Sequence, residues 1–175
     1  MRDIVLPETK PALEWVNGRV VQKAFQPYRE ARAQARFGAA LLNWADANGC
    51  GMAGIEWEFR LAPPGEVRRP LVPDVAYLSY ARLSYDKLTK TDYPQIAPDA
   101  VVEVLSPSDK GKDIDEKIRV YLTCGTSVVF LVDTKHQTVT IRDAQDAEVI
   151  ARDAVITHPS LPGFAMKAND LFEEP

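Results

Sequence analysis

Two acidic residues and one lysine stand where their chemistry could be combined. Asp74 follows Pro73 at the start of an apolar run, and Glu103 interrupts the β-branched run from Ala100 to Leu105. If these runs are neighbouring strands of one sheet, the two carboxylates meet at its rim and offer hard oxygen ligands to Mg²⁺ or Mn²⁺. Such an ion acidifies a bound water and stabilises charge on a phosphoryl group, and the Lys117 ammonium could orient the nucleophile. This interpretation predicts metal-assisted hydrolysis of a phosphate ester.

The same residues also have a purely structural interpretation. An aspartate after proline is often a turn residue, and Glu103 could be a hydrogen-bonded carboxylate of the core. Lys117 lies four residues after Asp113, so these two could form an ion pair on the surface of a helix. Lys110 and Lys112, in the preceding loop, compete with Lys117 for the role of the active-site ammonium. Spacing alone leaves these alternatives open.

A strand, a helix and a second strand are predicted around Glu103. The run Ala100–Leu105 is typical of a buried strand, in which an ionised carboxylate is costly unless it is paired, protonated, bound to a metal or open to a cleft. The apolar spacing then changes to that of a helix, which Gly125 ends. The apolar face of this helix consists of Ile114, Ile118, Tyr121 and Leu122. Val128–Val132 predicts the second strand, and the other elements must attach to this unit.

A hairpin and a long helix are predicted in the N-terminal third. Asn17-Gly18 between two apolar runs is the strongest short signal for a β-hairpin, which we place at Leu13–Lys23. Pro27 begins a helix of about twenty residues that extends to Asn48, and Gly49 ends it. The chain therefore enters its central region from a hairpin followed by a helix.

Shorter elements follow from local patterns. The alternation of apolar and polar residues over Gly54–Leu61 predicts one half-buried strand. Leu71–Leu78 predicts another, which Pro73 restricts to an edge, a start or a bulge. The remaining predictions are a short helix within residues 80–95, a hairpin strand Val139–Arg142, a strand within Glu148–Thr157 and a helical turn within Lys167–Phe172. Strands and helices in this order predict an α/β fold.

Length and composition limit the class of protein. The 175 residues favour a single domain, residues 1–175, that needs no disulfide or structural metal. No apolar run reaches the roughly 18 residues of a membrane span and no signal sequence is recognisable, so we expect a cytoplasmic protein without membrane contact. Cys50 and Cys124 show no motif spacing and are expected to be reduced thiols. A net charge of −4 argues against a broad nucleic-acid-coating surface but permits a local basic cleft.

Several motifs resemble those of the Uma-two family, restriction-endonuclease-like proteins of the PD-(D/E)xK nuclease superfamily. The central match is Ala-Pro-Asp-Ala-Val-Val-Glu-Val-Leu-Ser-Pro-Ser at residues 97–108. It is accompanied by Val72–Val75, by Asp113-x-x-x-Lys117-x-x-x-Tyr121, and by Gly125 with Phe130–Asp133; Glu14–Val20 matches the family's N-terminal hairpin more weakly. The resemblance implies a restriction-endonuclease-like α/β fold, with a central mixed β-sheet flanked by helices and an N-terminal β-hairpin.

The resemblance also implies roles for individual residues. Asp74 and Glu103 would bind Mg²⁺ or Mn²⁺, with the backbone carbonyl of Val104 as a candidate third ligand. The superfamily lysine usually stands two residues after the second acid, where this chain has an apolar leucine. The catalytic lysine is therefore assigned to Lys117 on the following helix, and Glu14 would be an accessory acidic residue.

The activity implied by the resemblance is that of an endonuclease that hydrolyses DNA phosphodiester bonds by attack of a metal-activated water. DNA is the implied partner, and we expect a homodimer because many nucleases of this fold cut both strands as pairs. Candidate nucleic-acid contacts are Lys110 and Lys112 in the loop, and Arg29 and Arg32 on the first helix. These two arginines recur with Arg36 at helical spacing, in a stripe that faces either solvent or phosphates.

The alternative function is that of a catalytically inactive protein of the same fold, which binds DNA or regulates a partner. Two features favour it. The charge balance is acidic, and no histidine lies between Met1 and Lys135, although family members often have one near the start of the first long helix. DNA affinity that depends on salt, without cleavage in any divalent metal, would distinguish this alternative from an enzyme.

Overall fold

The computed structural model describes residues 3–173. The elements are, in chain order, β1 (Leu13–Val16), β2 (Arg19–Gln22), α1 (Tyr28–Asn48), β3 (Gly51–Ile55), β4 (Phe59–Leu61), β5 (Arg69–Leu71), β6 (Val75–Ser79), α2 (Tyr85–Leu88), β7 (Ala100–Leu105), α3 (Gly111–Thr123), β8 (Val128–Asp133), β9 (Thr138–Arg142), β10 (Ala147–Ala151), β11 (Val155–Ile156), β12 (Met166–Lys167) and α4 (Asn169–Phe172).

Six strands form a mixed central sheet in the order β10-β9-β8-β7-β6-β3. β7 and β8 are parallel and joined through α3, whereas the other neighbouring pairs are antiparallel. Alternate side chains of β7 lie on opposite faces, so Val102 packs with α1 and Val101 packs with α3. Glu103 alternates with Val102 in the same way and therefore lies on the α3 face. The α/β fold with a mixed sheet flanked by helices is confirmed.

Helix α1 covers the other face of the sheet, and its bounds are those predicted. Pro27 precedes the first turn, and Gly49 ends the helix in the left-handed conformation at φ 56°. Phe37 and Leu41 are fully buried among residues of the central strands. Within residues 3–173, no helix combines the length and the apolar character that a bilayer crossing requires.

The predicted N-terminal hairpin is also confirmed, as a two-stranded sheet of its own. β1 and β2 pair antiparallel from Leu13 opposite Gln22 to Val16 opposite Arg19. Asn17 and Gly18 connect them with φ values of 50° and 73°, the left-handed conformations that a two-residue hairpin turn requires. β1 contacts α3 and β5, so the hairpin lies on the face of the central sheet that carries Glu103.

The prediction of one strand over Gly54–Leu61 is wrong. β3 ends at Ile55, and Glu56 has a φ of 49°, which turns the chain out of the central sheet. β4 then pairs with β5 in a separate two-stranded sheet. Ile55 is 60% exposed although Phe59, which the alternation places on the same face, is fully buried. The alternation of apolar and polar residues continues across the turn at Glu56, so the sequence pattern gave no sign of the turn.

Two other predicted strands are interrupted in the same way. Leu71–Leu78 is divided between β5, which ends at Leu71, and β6, which begins at Val75. Pro73 lies in the interruption, where its missing N–H costs no ladder hydrogen bond. Glu148–Thr157 is divided between β10 and β11, because a turn at residues 152–154 separates them. The first interruption matters for the site, because it places Asp74 just before β6.

Gly51 is expected to tolerate no side chain. A Cβ at this position would lie 2.5 Å from the carbonyl oxygen of Leu78 and 2.9 Å from Cα of Ser79, both of them backbone atoms of the paired strand β6. We expect Gly51→Ala to lower the free energy of unfolding by about 1–3 kcal/mol. Gly111→Ala is the matched control, since a Cβ there meets no atom within 4 Å. Urea denaturation of both variants measures the difference; equal stabilities would contradict the prediction.

Candidate active site

Glu103 is buried between β7 and α3, where two side chains of the helix bind it. Its Oε2 accepts a hydrogen bond from Nζ of Lys117 at 2.8 Å, and its Oε1 accepts one from the hydroxyl of Tyr121 at 2.9 Å. Lys117 and Tyr121 are four residues apart and so share one face of α3. The helix that follows β7 therefore provides both partners of the carboxylate, as the strand–helix arrangement requires.

Asp74 is held in place by groups from three parts of the chain. Its Oδ2 accepts a hydrogen bond from the backbone N–H of Val104 at 2.7 Å, which joins it to β7 next to Glu103. Its Oδ1 accepts one from Nζ of Lys23 at 2.7 Å. The backbone carbonyl of Asp74 accepts a further hydrogen bond from the side chain of Gln34 on α1 at 3.0 Å. The carboxylate and its backbone are therefore both fixed.

The N-terminal hairpin contributes Glu14 and Lys23 to the surroundings of the two acidic residues. Glu14 of β1 lies 3.0 Å from Nζ of Lys117 and accepts a hydrogen bond from the backbone N–H of Val72 at 2.8 Å. Lys23, just after β2, donates to the backbone carbonyl of Val72 at 2.8 Å and to the Asp74 carboxylate. The hairpin thus covers the face of the central sheet that carries Glu103, next to Asp74.

The tip of the hairpin is tied to the start of α3. The side-chain amide of Asn17 donates to Asp113 at 2.7 Å, and the Arg19 guanidinium forms an ion pair with the same carboxylate. Both partners lower the pKa of Asp113 against the opposing effect of its burial. Asp113 is therefore bound by the hairpin. The alternative prediction, an ion pair between Asp113 and Lys117 on the helix surface, is wrong.

One cavity of about 230 Å³ is lined by the acidic residues Glu14, Asp74 and Glu103 and by the ammonium groups of Lys23 and Lys117. Lys110 also lines it. Lys112 does not, and it lies in the first turn of α3 rather than in the predicted loop; its backbone carbonyl accepts a hydrogen bond from the side chain of Asn17. The charged residues of the cavity wall are Glu14, Arg19, Lys23, Asp74, Glu103, Asp109, Lys110, Asp113 and Lys117. Of the three competing lysines, Lys117 is the one that contacts the acidic residues.

Burial and charge together set the protonation of the site. Burial raises the pKa of Glu103 to about 7, with the Lys117 ammonium opposing this shift and the Asp74 carboxylate adding to it. Burial also disfavours the ammonium of Lys117, but Glu103 and Glu14 more than offset it, so the pKa of Lys117 is raised. Lys117 is charged at neutral pH, whereas Glu103 takes up a proton near neutrality.

The acidic side chains of the cavity offer carboxylate oxygens, the kind of ligand that hard divalent cations prefer. Glu14, Asp74 and Glu103 oppose the two ammonium groups of Lys23 and Lys117, which leaves one net negative charge when all are ionised. Each oxygen of Asp74 and Glu103 accepts one hydrogen bond, and a carboxylate oxygen has a second lone pair. Residues 3–173 contain no group of three or more acidic, histidine or cysteine side chains arranged around one metal position. Two carboxylates with additional waters are, however, a usual protein contribution to a Mg²⁺ site.

Arg29 and Arg32 line a different cavity. It measures about 280 Å³ and lies between the start of α1 and the C-terminal helix α4, with Arg152 also in its wall. Arg32 donates to the backbone carbonyl of Glu173 at 3.1 Å and to the hydroxyl of Tyr28 at 3.1 Å. The structure therefore brings together the acidic residues, Lys117 and Lys110, and places the two candidate arginines elsewhere.

Sequence reasoning missed Lys23 and the polar role of Tyr121. Lys23 is the last residue of the predicted hairpin, where a lysine is ordinarily exposed, and its partner Asp74 lies 51 residues further along the chain. Tyr121 was placed on the apolar face of the helix and in the family motif, but was given no polar role. Its spacing of four residues from Lys117 was the available signal, because two residues so spaced on a helix reach the same group.

Comparison with known proteins gives the family. A family model described as "Uma2: Putative restriction endonuclease" matches residues 4–169. The chain belongs to the Uma2 family. The crystal structure of a "putative nuclease belonging to DUF820" from Anabaena variabilis is similar, with 26% sequence identity, a TM-score of 0.83, and a match over 95% of this chain and 93% of that chain. No protein with a curated description matches. Membership of the Uma2 family and the shared fold both indicate a nuclease.

Proposed function

We propose that this Uma2 protein is a metal-dependent endonuclease that hydrolyses DNA phosphodiester bonds. One observation carries the proposal: Asp74, just before β6, and Glu103 of β7 line the same cavity, where the buried ammonium of Lys117 donates to Glu103. A buried acid whose pKa is strongly shifted by burial, next to a charged lysine in a cavity, is a common mark of a catalytic site. A purely structural ion pair has no need of a second carboxylate or of access to solvent.

In this proposal Asp74 and Glu103 hold Mg²⁺ or Mn²⁺, with the Val104 carbonyl as a candidate third ligand. The ion would supply a Lewis acid that polarises the phosphate and acidifies a coordinated water. Val104 N–H and Tyr121 fix the orientation of the two carboxylates, so that little reorganisation is needed.

Lys117 has two tasks in the proposed reaction. Its ammonium favours the anionic form of Glu103 by donating to it, against the effect of burial, and it would counter the negative charge that develops on the phosphoryl group in the transition state. Glu14 takes the accessory role, since it holds the Lys117 ammonium from the opposite side at 3.0 Å. Burial of all three side chains strengthens these interactions, because the site is shielded from bulk water.

Two further parts of the proposal concern DNA binding and assembly. Lys110, in the wall of the active-site cavity, would contact a phosphate next to the one that is cut, whereas Arg29, Arg32 and Lys112 would contact the DNA outside this cavity. We also propose a homodimer, which would place two sites on the two strands of a duplex. Light scattering should give the mass of two chains, and a monomeric mass at micromolar concentration would contradict the proposed homodimer.

The decisive experiment is a cleavage assay on supercoiled plasmid and on single-stranded DNA. We expect wild-type protein to nick DNA in Mg²⁺ or Mn²⁺ but not in EDTA, and an Asp74→Asn, Glu103→Gln double variant to be at least about 1,000-fold slower. Circular dichroism checks that the variant is folded. Salt-dependent DNA binding without cleavage in any divalent metal would overturn the proposal in favour of a catalytically inactive DNA-binding protein.

A further inference from the structure

Lys23 is a second buried lysine beside the acidic residues. Its side chain is 11% exposed, and its ammonium donates to Asp74 Oδ1 at 2.7 Å and to the backbone carbonyl of Val72 at 2.8 Å. Lys23 is thus an ammonium group held between two acceptors, and it lines the same cavity as Lys117.

The two oxygens of Asp74 have different partners. Oδ2 accepts from the backbone N–H of Val104, which belongs to the central strand β7 and cannot move without disrupting the sheet. Oδ1 accepts from Lys23, whose side chain has four rotatable bonds and which follows the end of β2. Because the Lys23 side chain can change its conformation, Oδ1 is the oxygen of Asp74 that can bind another cation.

We propose that Lys23 and a divalent cation compete for Oδ1 of Asp74, and that the displaced Lys23 ammonium donates to a non-bridging oxygen of the DNA phosphate. The inference rests on the proposed function, because it assigns Lys23 to the same site. In the metal-free protein Lys23 balances the charge of Asp74. In the substrate complex it becomes a second phosphate-binding cation, contributed by the hairpin.

The hairpin position of Lys23 suits this exchange. Nζ already has two acceptors, and an ammonium has three N–H groups, so one N–H remains for a ligand in the cavity. Loss of the Asp74 contact would free a second. The hydrogen bond from Lys23 to the Val72 carbonyl remains. It holds the ammonium at the cavity wall when a cation binds Asp74 Oδ1.

Calorimetric titration of the metal-free protein with Mn²⁺ tests the competition without any measurement of activity. Removal of the competing ammonium should make Lys23→Met bind Mn²⁺ about tenfold more tightly than wild type. Lys23→Arg keeps the charge and should stay within about threefold of wild type. Lys110→Met is the matched control, because it removes a lysine from the same cavity without removing a partner of Asp74; its Mn²⁺ affinity should change less than about threefold.

Cleavage of DNA by the same variants tests the phosphate contact. Lys23→Met should cut at least about 100-fold more slowly than wild type in saturating Mn²⁺, in spite of its tighter metal binding. A merely structural lysine would lower metal affinity and activity together. Tighter metal binding with slower cleavage is therefore the result that supports the inference.

Unchanged or weaker Mn²⁺ binding by Lys23→Met would overturn the inference, as would wild-type cleavage by this variant. If Lys23→Met does not fold, Lys23→Gln, which keeps a hydrogen-bond donor without the charge, takes its place in both measurements. If the wild-type protein binds Mn²⁺ but cuts no DNA, the proposed function and the phosphate contact both fail. The calorimetric comparison would still decide whether Lys23 competes for Asp74.

Discussion

Replacement of Lys117 by methionine is expected to destabilise the folded protein by about 3–5 kcal/mol at pH 8.5. Methionine fills a similar volume but leaves the buried carboxylates of Glu14 and Glu103 without their shared cation. Part of this cost is avoided at lower pH, where Glu103 takes up a proton. We therefore expect the loss of stability to be smaller at pH 6 than at pH 8.5, as measured by urea denaturation at the two pH values.

A residue of the same helix provides the control for this prediction. Arg119 lies two positions further along α3, is 44% exposed, and pairs with Glu116 and Glu66 at the surface. Arg119→Met should cost no more than about 1 kcal/mol, because exposed ion pairs contribute little. The double variant Lys117→Met, Glu103→Gln should regain part of the lost stability. A loss in Lys117→Met as small as that in Arg119→Met would show that the buried cluster contributes no special stability.

Glu103 is expected to make the metal-free protein less stable as pH rises from about 4.5 to about 7. The pKa of this carboxyl is about 7 in the folded chain and 4.5 in its ordinary range. Between these values the folded protein binds more protons than the unfolded chain, so unfolding becomes easier with increasing pH. The contribution of Glu103 is fully present below pH 4.5 and is lost as pH passes 7. Its size is on the order of a few kcal/mol.

The comparison with Glu103→Gln isolates this effect from those of other acids. The pKa values of Asp113 and Glu116 are lowered by their basic partners, so these residues change stability in the opposite direction and at lower pH. Glutamine has no proton to exchange at this pH. As pH rises to 8, the wild type should therefore lose stability relative to Glu103→Gln. A difference that stays constant from pH 5 to pH 8 would contradict the raised pKa.

The sequence predicted helices and turns well where a proline, a glycine or an Asn-Gly pair restricts the backbone at their ends. Pro27 and Gly49 mark the bounds of α1, and Asn17-Gly18 marks the hairpin turn, because in each case the residue itself restricts the backbone. The prediction failed at Glu56, whose left-handed conformation no residue type in that stretch requires. The apolar alternation on either side therefore suggested one strand where the chain forms two.

The site was predicted only in part for a related reason. Asp74, Glu103 and Lys117 could be selected because two of them interrupt apolar runs and the third follows on the next helix. Lys23 interrupts nothing and becomes recognisable only through Asp74, a contact that joins two elements distant in sequence. Polar residues that are buried by tertiary contacts alone leave no periodic signal, whereas those within a strand do.

The hairpin also has a consequence for the order in which the chain can fold. Its contacts with α3 and with the residue before β6 join positions far apart in sequence, namely Glu14 with Lys117 and Lys23 with Asp74, and such contacts close large loops at an entropic cost. Until the hairpin docks, the acidic residues of the sheet can remain hydrated. Docking places Lys23 beside Asp74 in the same event that covers this carboxylate, whereas the partners of Glu103 come from α3. Covering of the Asp74 carboxylate and its pairing with a cation therefore depend on the same docking step.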